Sequence, residues 1–389
     1  MSALHVLAVV GGLAILAGTT ANIVRGLIVP RARRTMMSRW ADYCVDCVFR
    51  LLTWPARSYE RRDRVLAAQG PAVLLFQLAQ WLGAYELAYS LLLWPSTHSW
   101  GSAFEQAASS MFTLGIVYTR GAGSTAVDVV AGATGAIVIA LQIAYLPTLY
   151  GAFNRRETEV TLLGARAGTP AWGPELLVRT RYGVAARGDD LPGLYAGWER
   201  WAADVAESHA NYPVLVRFRS PRYLSSWLIA LLAVMDSAAM LLALRPSQDR
   251  LEPRRALRMG FTALGEIGSA LGLAVNTDPD PDADITLTFD EFSGAVDQLL
   301  AVGFPVERTA AEAWPHFKGW RVNYESLAYS LALRTDAVPA PWSGPRRWPA
   351  EVEAVRRPPN RAPKGAPPLA PGTAKGGHPP AQTAAGRPD

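Results

Sequence analysis

Apolar positions in this chain fall in long blocks, and the charged positions fall between the blocks. Residues 4–24 are almost wholly apolar, as are 71–94 and 127–150. About 20 such residues span a bilayer as helix. Arg25, Arg31, Arg33, Arg34 and Arg39 follow the first block, and Arg50, Arg57, Arg61, Arg62 and Arg64 continue the basic run. Arg155 and Arg156 follow the third block. Basic residues mark cytoplasmic loops. The arrangement predicts three spans in the plasma membrane, with the N-terminus outside and the C-terminus cytoplasmic. A cleaved signal peptide would begin with Lys or Arg, and this N-terminus has neither. Within the basic loop, residues 40–54 have the amphipathic pattern of a helix lying on the membrane surface. Trp94 and Trp100 suit the outer interface.

A fourth apolar block covers 225–244. Arginines flank it on both sides, and Asp236 stands near its middle, where a membrane position would cost a few kcal/mol. It is expected to be a buried core helix of a cytoplasmic domain. The predicted class is therefore an all-α membrane protein with three transmembrane helices, a re-entrant loop between the second and third, and a helical cytoplasmic domain. Residues 1–29 hold the first helix and 30–70 a basic interfacial segment. Residues 71–155 hold helix, loop (101–120) and helix, 156–338 the cytoplasmic domain, and 339–389 a disordered tail rich in Pro, Ala, Gly and basic residues.

The loop between the second and third blocks carries the most information. Residues 103–112 can form a helix too short to cross, with a small extended stretch containing Gly115 after it. Backbone of this kind at membrane depth needs protein or water around it. The C-terminal end of the short helix offers partial negative charge to a cation, and Glu105 is expected in its first turn, where an acid suits the dipole. Carbonyls after the helix can replace a cation's hydration shell.

Here the sequence resembles the potassium channel superfamily, in the form of bacterial proteins with two helices flanking one pore loop. Ser110-Met-Phe-Thr-Leu-Gly115 is similar to that family's S-x-x-T-[VL]-G. The resemblance implies a filter at Thr113, Leu114, Gly115, Ile116 and Val117, with Glu105, Ser109 and Ser110 on the pore helix. It also implies a homotetramer, since one loop per chain cannot enclose an axis. Potassium or sodium would pass as permeant ions, with no cofactor. The family signature is T-V-G-Y-G, whereas this chain reads T-L-G-I-V. The second glycine, which permits a left-handed backbone, is missing. The patterns Trp198-Glu-Arg-Trp201 and Trp320-Arg-Val-Asn-Tyr-Glu325 are similar to the cytoplasmic region of bacterial members of this group, and that likeness implies no activity.

Other features have competing accounts. Glu86 is an ionisable residue inside a span: a functional acid, or one that hydrogen-bonds the pore helix or a neighbouring subunit. Gly132 and Gly135 are a candidate gating hinge or a close-packing surface. Pro147 can kink the inner end of the third helix. Cys44 and Cys47 read as small apolar residues one turn apart. Residues 280–291 match much of a calcium-loop spacing, but Ile285 stands where glycine is needed; the competing account makes Thr288 an N-cap and Glu291 its capping-box partner. A second pore loop at 261–265 is excluded, since no span-length apolar run comes after it. The net charge of +5 and pI near 9.3 reflect membrane orientation and not nucleic-acid binding. No Ser-His-Asp order, phosphate loop or metal cluster is present, so neither an enzyme nor an organic substrate is expected. The rival to a channel is a membrane-anchored helical scaffold or sensor without a pore.

Overall fold

The computed structural model describes residues 3–28, 35–180, 191–248, 251–347 and 350–357. Arg31, Arg33 and Arg34 of the basic run lie outside the described residues, as do residues 358–389 of the tail. Thirteen α-helices are described: α1 (Ala3–Ile23), α2 (Met36–Thr53), α3 (Tyr59–Leu66), α4 (Gln69–Leu93), α5 (Trp100–Met111), α6 (Ala122–Ala167), α7 (Gly173–Arg179), α8 (Leu191–Asn211), α9 (Trp227–Leu244), α10 (Leu251–Ala270), α11 (Phe289–Ala301), α12 (Ala310–Arg321) and α13 (Glu325–Thr335). No strand occurs among the described residues; Thr169 and Arg356 form one isolated antiparallel bridge.

Among the described residues, four helices are long and apolar enough to cross a membrane: Ala3–Leu27, Tyr59–Ser96, Ala122–Ala167 and Trp227–Leu244. They differ in surroundings. The apolar windows of the first three are 22–28% buried by the rest of the chain, and that of the fourth is 94% buried.

The first bundle joins α1, α4, α5 and α6. Gly12 lets α1 lie so close to α4 that a Cβ there would come 2.9 Å from the Ala88 carbonyl oxygen. Side chains add register: Trp81 Nε1 donates to Asn22 Oδ1 at 3.1 Å, and Thr20 and Tyr85 hydroxyls bond at 2.8 Å. Trp81, Tyr85, Tyr89, Ala103, Met111 and Val138 fill its core.

The second bundle, α7–α13, surrounds α9. Its central acid has found cations and hydroxyls. Asp236 accepts from Arg321 at 2.6 Å and from the Tyr324 hydroxyl at 2.8 Å. Arg321 also donates to Glu325 at 2.5 Å and to the Trp342 carbonyl at 2.8 Å. A buried charge is tolerated when it is paired and hydrogen-bonded in this way. Burial pushes the Asp236 carboxyl up, against the opposing pull of Arg321.

Helix α6 connects the bundles. It runs through Pro147 without interruption for 46 residues. Val138 lies in the first core, Leu149 and Ala152 in a small middle core, and Val160 and Leu163 in the second. The boundary expected at 155/156 therefore falls inside a continuous helix.

Two regions depart from or complete the sequence expectations. Composition predicts disorder from residue 339 onward, yet the described part of that segment is packed. Ala340 and Trp342 are buried, and Arg346 donates to the carbonyls of Ala337 at 2.6 Å and Val338 at 2.7 Å. Burying Trp342 and pairing Arg357 with Glu175 at 2.8 Å offset the entropy of ordering a Pro-rich stretch. In 280–291, Glu291 is engaged as the capping-box partner of Thr288, and no cluster of metal-ligating side chains occurs among the described residues.

Candidate pore-loop site

Ser99 caps α5, its hydroxyl accepting from Ser102 N at 3.2 Å. The helix thus opens at Trp100, three residues earlier than the apolar pattern suggests. Glu105 is consequently in the second turn and exposed, not in the first turn where the dipole would favour it. Twelve residues of helix reach about 18 Å, roughly half to two-thirds of a bilayer's hydrocarbon thickness.

One face of α5 is polar and buried. On it, Ser109 organises the segment C-terminal to the helix. Its carbonyl accepts from Leu114 N at 2.8 Å and Gly115 N at 3.3 Å. Its hydroxyl accepts from Ile116 N at 2.9 Å and Val117 N at 3.1 Å. One residue therefore holds four successive amides of the 113–117 segment. Those N–H groups are thereby tied to the C-terminal turn of α5.

The backbone handedness of the segment is distinctive. Thr113 has φ +54° and Gly115 φ +66°, while Leu114, Ile116 and Val117 do not have positive φ. Within the segment the left-handed residues are Thr113 and Gly115, with Leu114 between them. For glycine this conformation is cheap; for a β-branched threonine it is a strained one. The Thr113 hydroxyl donates to the Phe112 carbonyl at 2.7 Å. Leu114, Ile116 and Tyr118 are exposed.

A second polar group locks this unit to α6. Asp128 accepts from Gln106 Nε2 and from Ser110 Oγ, both at 2.8 Å. Thr119 donates back to Gln106 Oε1 at 2.7 Å, and Ser124 donates to the Thr119 carbonyl at 2.9 Å. Gln106, Thr119 and Asp128 are not among the residues that the sequence singles out. A signal existed for Asp128, an acid one residue into an apolar block, by the same rule that selects Glu86.

The glycines of α6 lie where it passes the end of α5. A Cβ at Gly135 would come 2.1 Å from the Met111 carbonyl oxygen, and one at Gly132 would come 3.1 Å from that of Ser110. This geometry carries close packing; Pro147, three turns below, lies away from the site. Glu86 on α4 is buried, and neither of its carboxylate oxygens has a hydrogen-bond partner among the described residues. It is not joined to α5.

Below the site, α6 reaches a buried hub. The Arg156 guanidinium donates to Glu157 at 2.9 Å, to the Leu215 carbonyl at 2.9 Å and to the Phe218 carbonyl at 2.7 Å, with His209 Nε2 at 2.9 Å. Burial first, then the adjacent Arg156 charge, holds the His209 imidazole well below its usual range. The same 213–219 segment sends Arg217 to Asp42 at 3.1 Å and Asp46 at 2.9 Å on α2, and Arg219 to Asp63 at 2.7 Å on α3. Comparison of the chain with protein-family models, curated proteins and solved structures finds no match.

Proposed function

We propose that this chain is one subunit of a homotetrameric, potassium-channel-like pore for monovalent cations. In this reading α1, α4 and α6 span the plasma membrane, and α5 with residues 112–120 re-enters from outside. The N-terminus is outside and the second bundle is cytoplasmic. The observation that carries the reading is the left-handed backbone at Thr113 and Gly115, with the amides of residues 114–117 all tied to Ser109. That combination frees a short row of carbonyls to replace a cation's hydration shell. Thr113, Leu114 and Gly115 would supply the inner sites. Ile116 and Val117 continue the segment without a further left-handed residue, so outer sites are fewer and the preference for potassium over sodium is modest. Potassium or sodium passes through as the permeant ion; no cofactor or organic substrate takes part.

The low burial of α1, α4 and α6 within one chain suits lipid and subunit contacts, while α9 has protein around it and its acid paired. The test is a reversal potential. Purified full-length protein in planar bilayers under opposed potassium and sodium gradients should give a cation-selective current with a small shift toward the potassium potential. A well-folded protein that passes no cation current would assign the chain to the scaffold or sensor reading.

A further inference from the structure

Helix α2 sorts its charges by side. Its two acids, Asp42 and Asp46, are both drawn to Arg217, at 3.1 and 2.9 Å. Ala41, Val45 and Phe49 are buried on that same side. The opposite stripe, at helical spacing, holds Met36, Trp40, Tyr43, Leu51 and Trp54, all exposed; Leu51 is 72% and Trp54 84% exposed. Arg39 and Arg50 stand within this stripe, both exposed, and neither has an ion-pair partner among the described residues. The outward face thus combines aromatic rings, aliphatic side chains and guanidinium groups, with no carboxylate. Its height is also defined: the Trp40 ring lies 5.8 Å from that of Phe76, near the N-terminal end of α4.

We propose that this face of α2 docks on the bilayer surface and selects anionic lipid. Arg39 and Arg50 take headgroup phosphates, while Trp40, Tyr43 and Trp54 enter the boundary between headgroups and acyl chains. The inference rests on α1, α4 and α6 crossing a bilayer but not on ion conduction. A second copy of the chain is a poorer occupant, because the acids that would answer Arg39 and Arg50 on an identical helix are turned inward to Arg217.

The experiment uses full-length protein in lipid vesicles, on a background with Cys44 and Cys47 replaced by serine. A fluorophore is placed by Tyr43→Cys, and separately by Val10→Cys in the middle of α1. Quenching is titrated with brominated phosphatidylglycerol and with brominated phosphatidylcholine. The position-43 label should be half-quenched by the anionic lipid at a mole fraction about fivefold or more below that for the zwitterionic lipid, since each arginine near an anionic surface contributes about that factor. Arg39→Gln with Arg50→Gln, both at exposed positions, should bring the two curves together while quenching persists. Equal quenching by the two lipids in the parent overturns lipid selection. A quenched label at 10 with an unquenched label at 43 overturns the docking while the spans stand. Unquenched labels at both positions overturn docking and spans together. A disulfide-linked dimer through position 43 assigns the face to a second copy and also overturns the proposal.

Discussion

The two bundles differ in how the acid at the centre of each is answered. In the second, Asp236, Arg321, Glu325, Tyr324 and the Trp342 carbonyl complete one another inside a single chain. In the first, both carboxylate oxygens of Glu86 and the side-chain oxygens of Gln80 and Gln142 have no partner among the described residues, and large apolar side chains such as Leu7, Val129 and Ile143 are exposed. The Asp236 centre of the second bundle is completed by its own sequence. The other bundle leaves apolar side chains exposed along helices long enough to cross a membrane. The difference teaches that hydropathy alone misjudges α9: it is as apolar as the other three, yet its acid is answered by protein.

The largest effect that would break this contrast is expected at Asp236. Replacing it by alanine strands Arg321 in the core and should cost about 3–5 kcal/mol, as removal of one partner of a buried pair does. Urea denaturation monitored by tryptophan fluorescence measures it. A cost below about 1 kcal/mol would mean that the pair is solvated, and the completeness argued for this bundle would fail. A further sharpening comes from a fragment beginning near residue 160: it should be soluble and helical, and carbonate-resistant membrane partition would make α9 a fourth span.

In the first bundle the sharpest packing test is Gly135→Ala. Its new methyl would overlap the Met111 carbonyl oxygen, 2.1 Å away, so α6 and α5 must separate. A loss of about 1–3 kcal/mol is expected, read as a lower melting temperature of the purified protein. Gly132→Ala, with 3.1 Å available, should cost a few tenths of that. Equal effects would remove Gly135 from the helix contact.

The smallest effect concerns pH. His209 is held neutral in the fold by burial and by Arg156, while in the unfolded chain it takes a proton near 6.5. The unfolded state therefore binds the extra proton as pH falls, and stability is lost below about 6.5, with a slope of at most about 1.4 kcal/mol per pH unit from this group. His209→Gln should flatten that part of the profile. An unchanged slope would mean that His209 is protonated in the fold.

Much of this was legible in the sequence where one force dominates. Apolar block length located α1, α4, α6 and α9, and the capping box at Thr288 comes directly from side-chain chemistry. The short helix between two apolar blocks and the glycine at 115 were readable too. The features that escaped depend on distant partners. Nothing near Asp236 in the sequence points to Arg321, 85 positions away, nor near Arg156 to the carbonyls of Leu215 and Phe218. Trp342 was hidden by its Pro-rich neighbours, because composition reports average burial and not a single anchoring ring. Asp128 was legible but passed over beside Glu86, although Asp128 is the acid that binds the loop.

The central claim is that residues 113–117 form an ion path, and Gly115 is its most exacting position. At φ +66° any other residue is strained by about 1 kcal/mol or more in every subunit, although the space for a Cβ is open. The most direct measurement compares single-channel currents of wild type and Gly115→Ala, both verified as tetramers, in planar bilayers with potassium and sodium. The account predicts a cation current in the wild type, modestly favouring potassium, and its loss in the variant. An unchanged current in the Gly115→Ala tetramer, or none in a well-folded wild type, would contradict it.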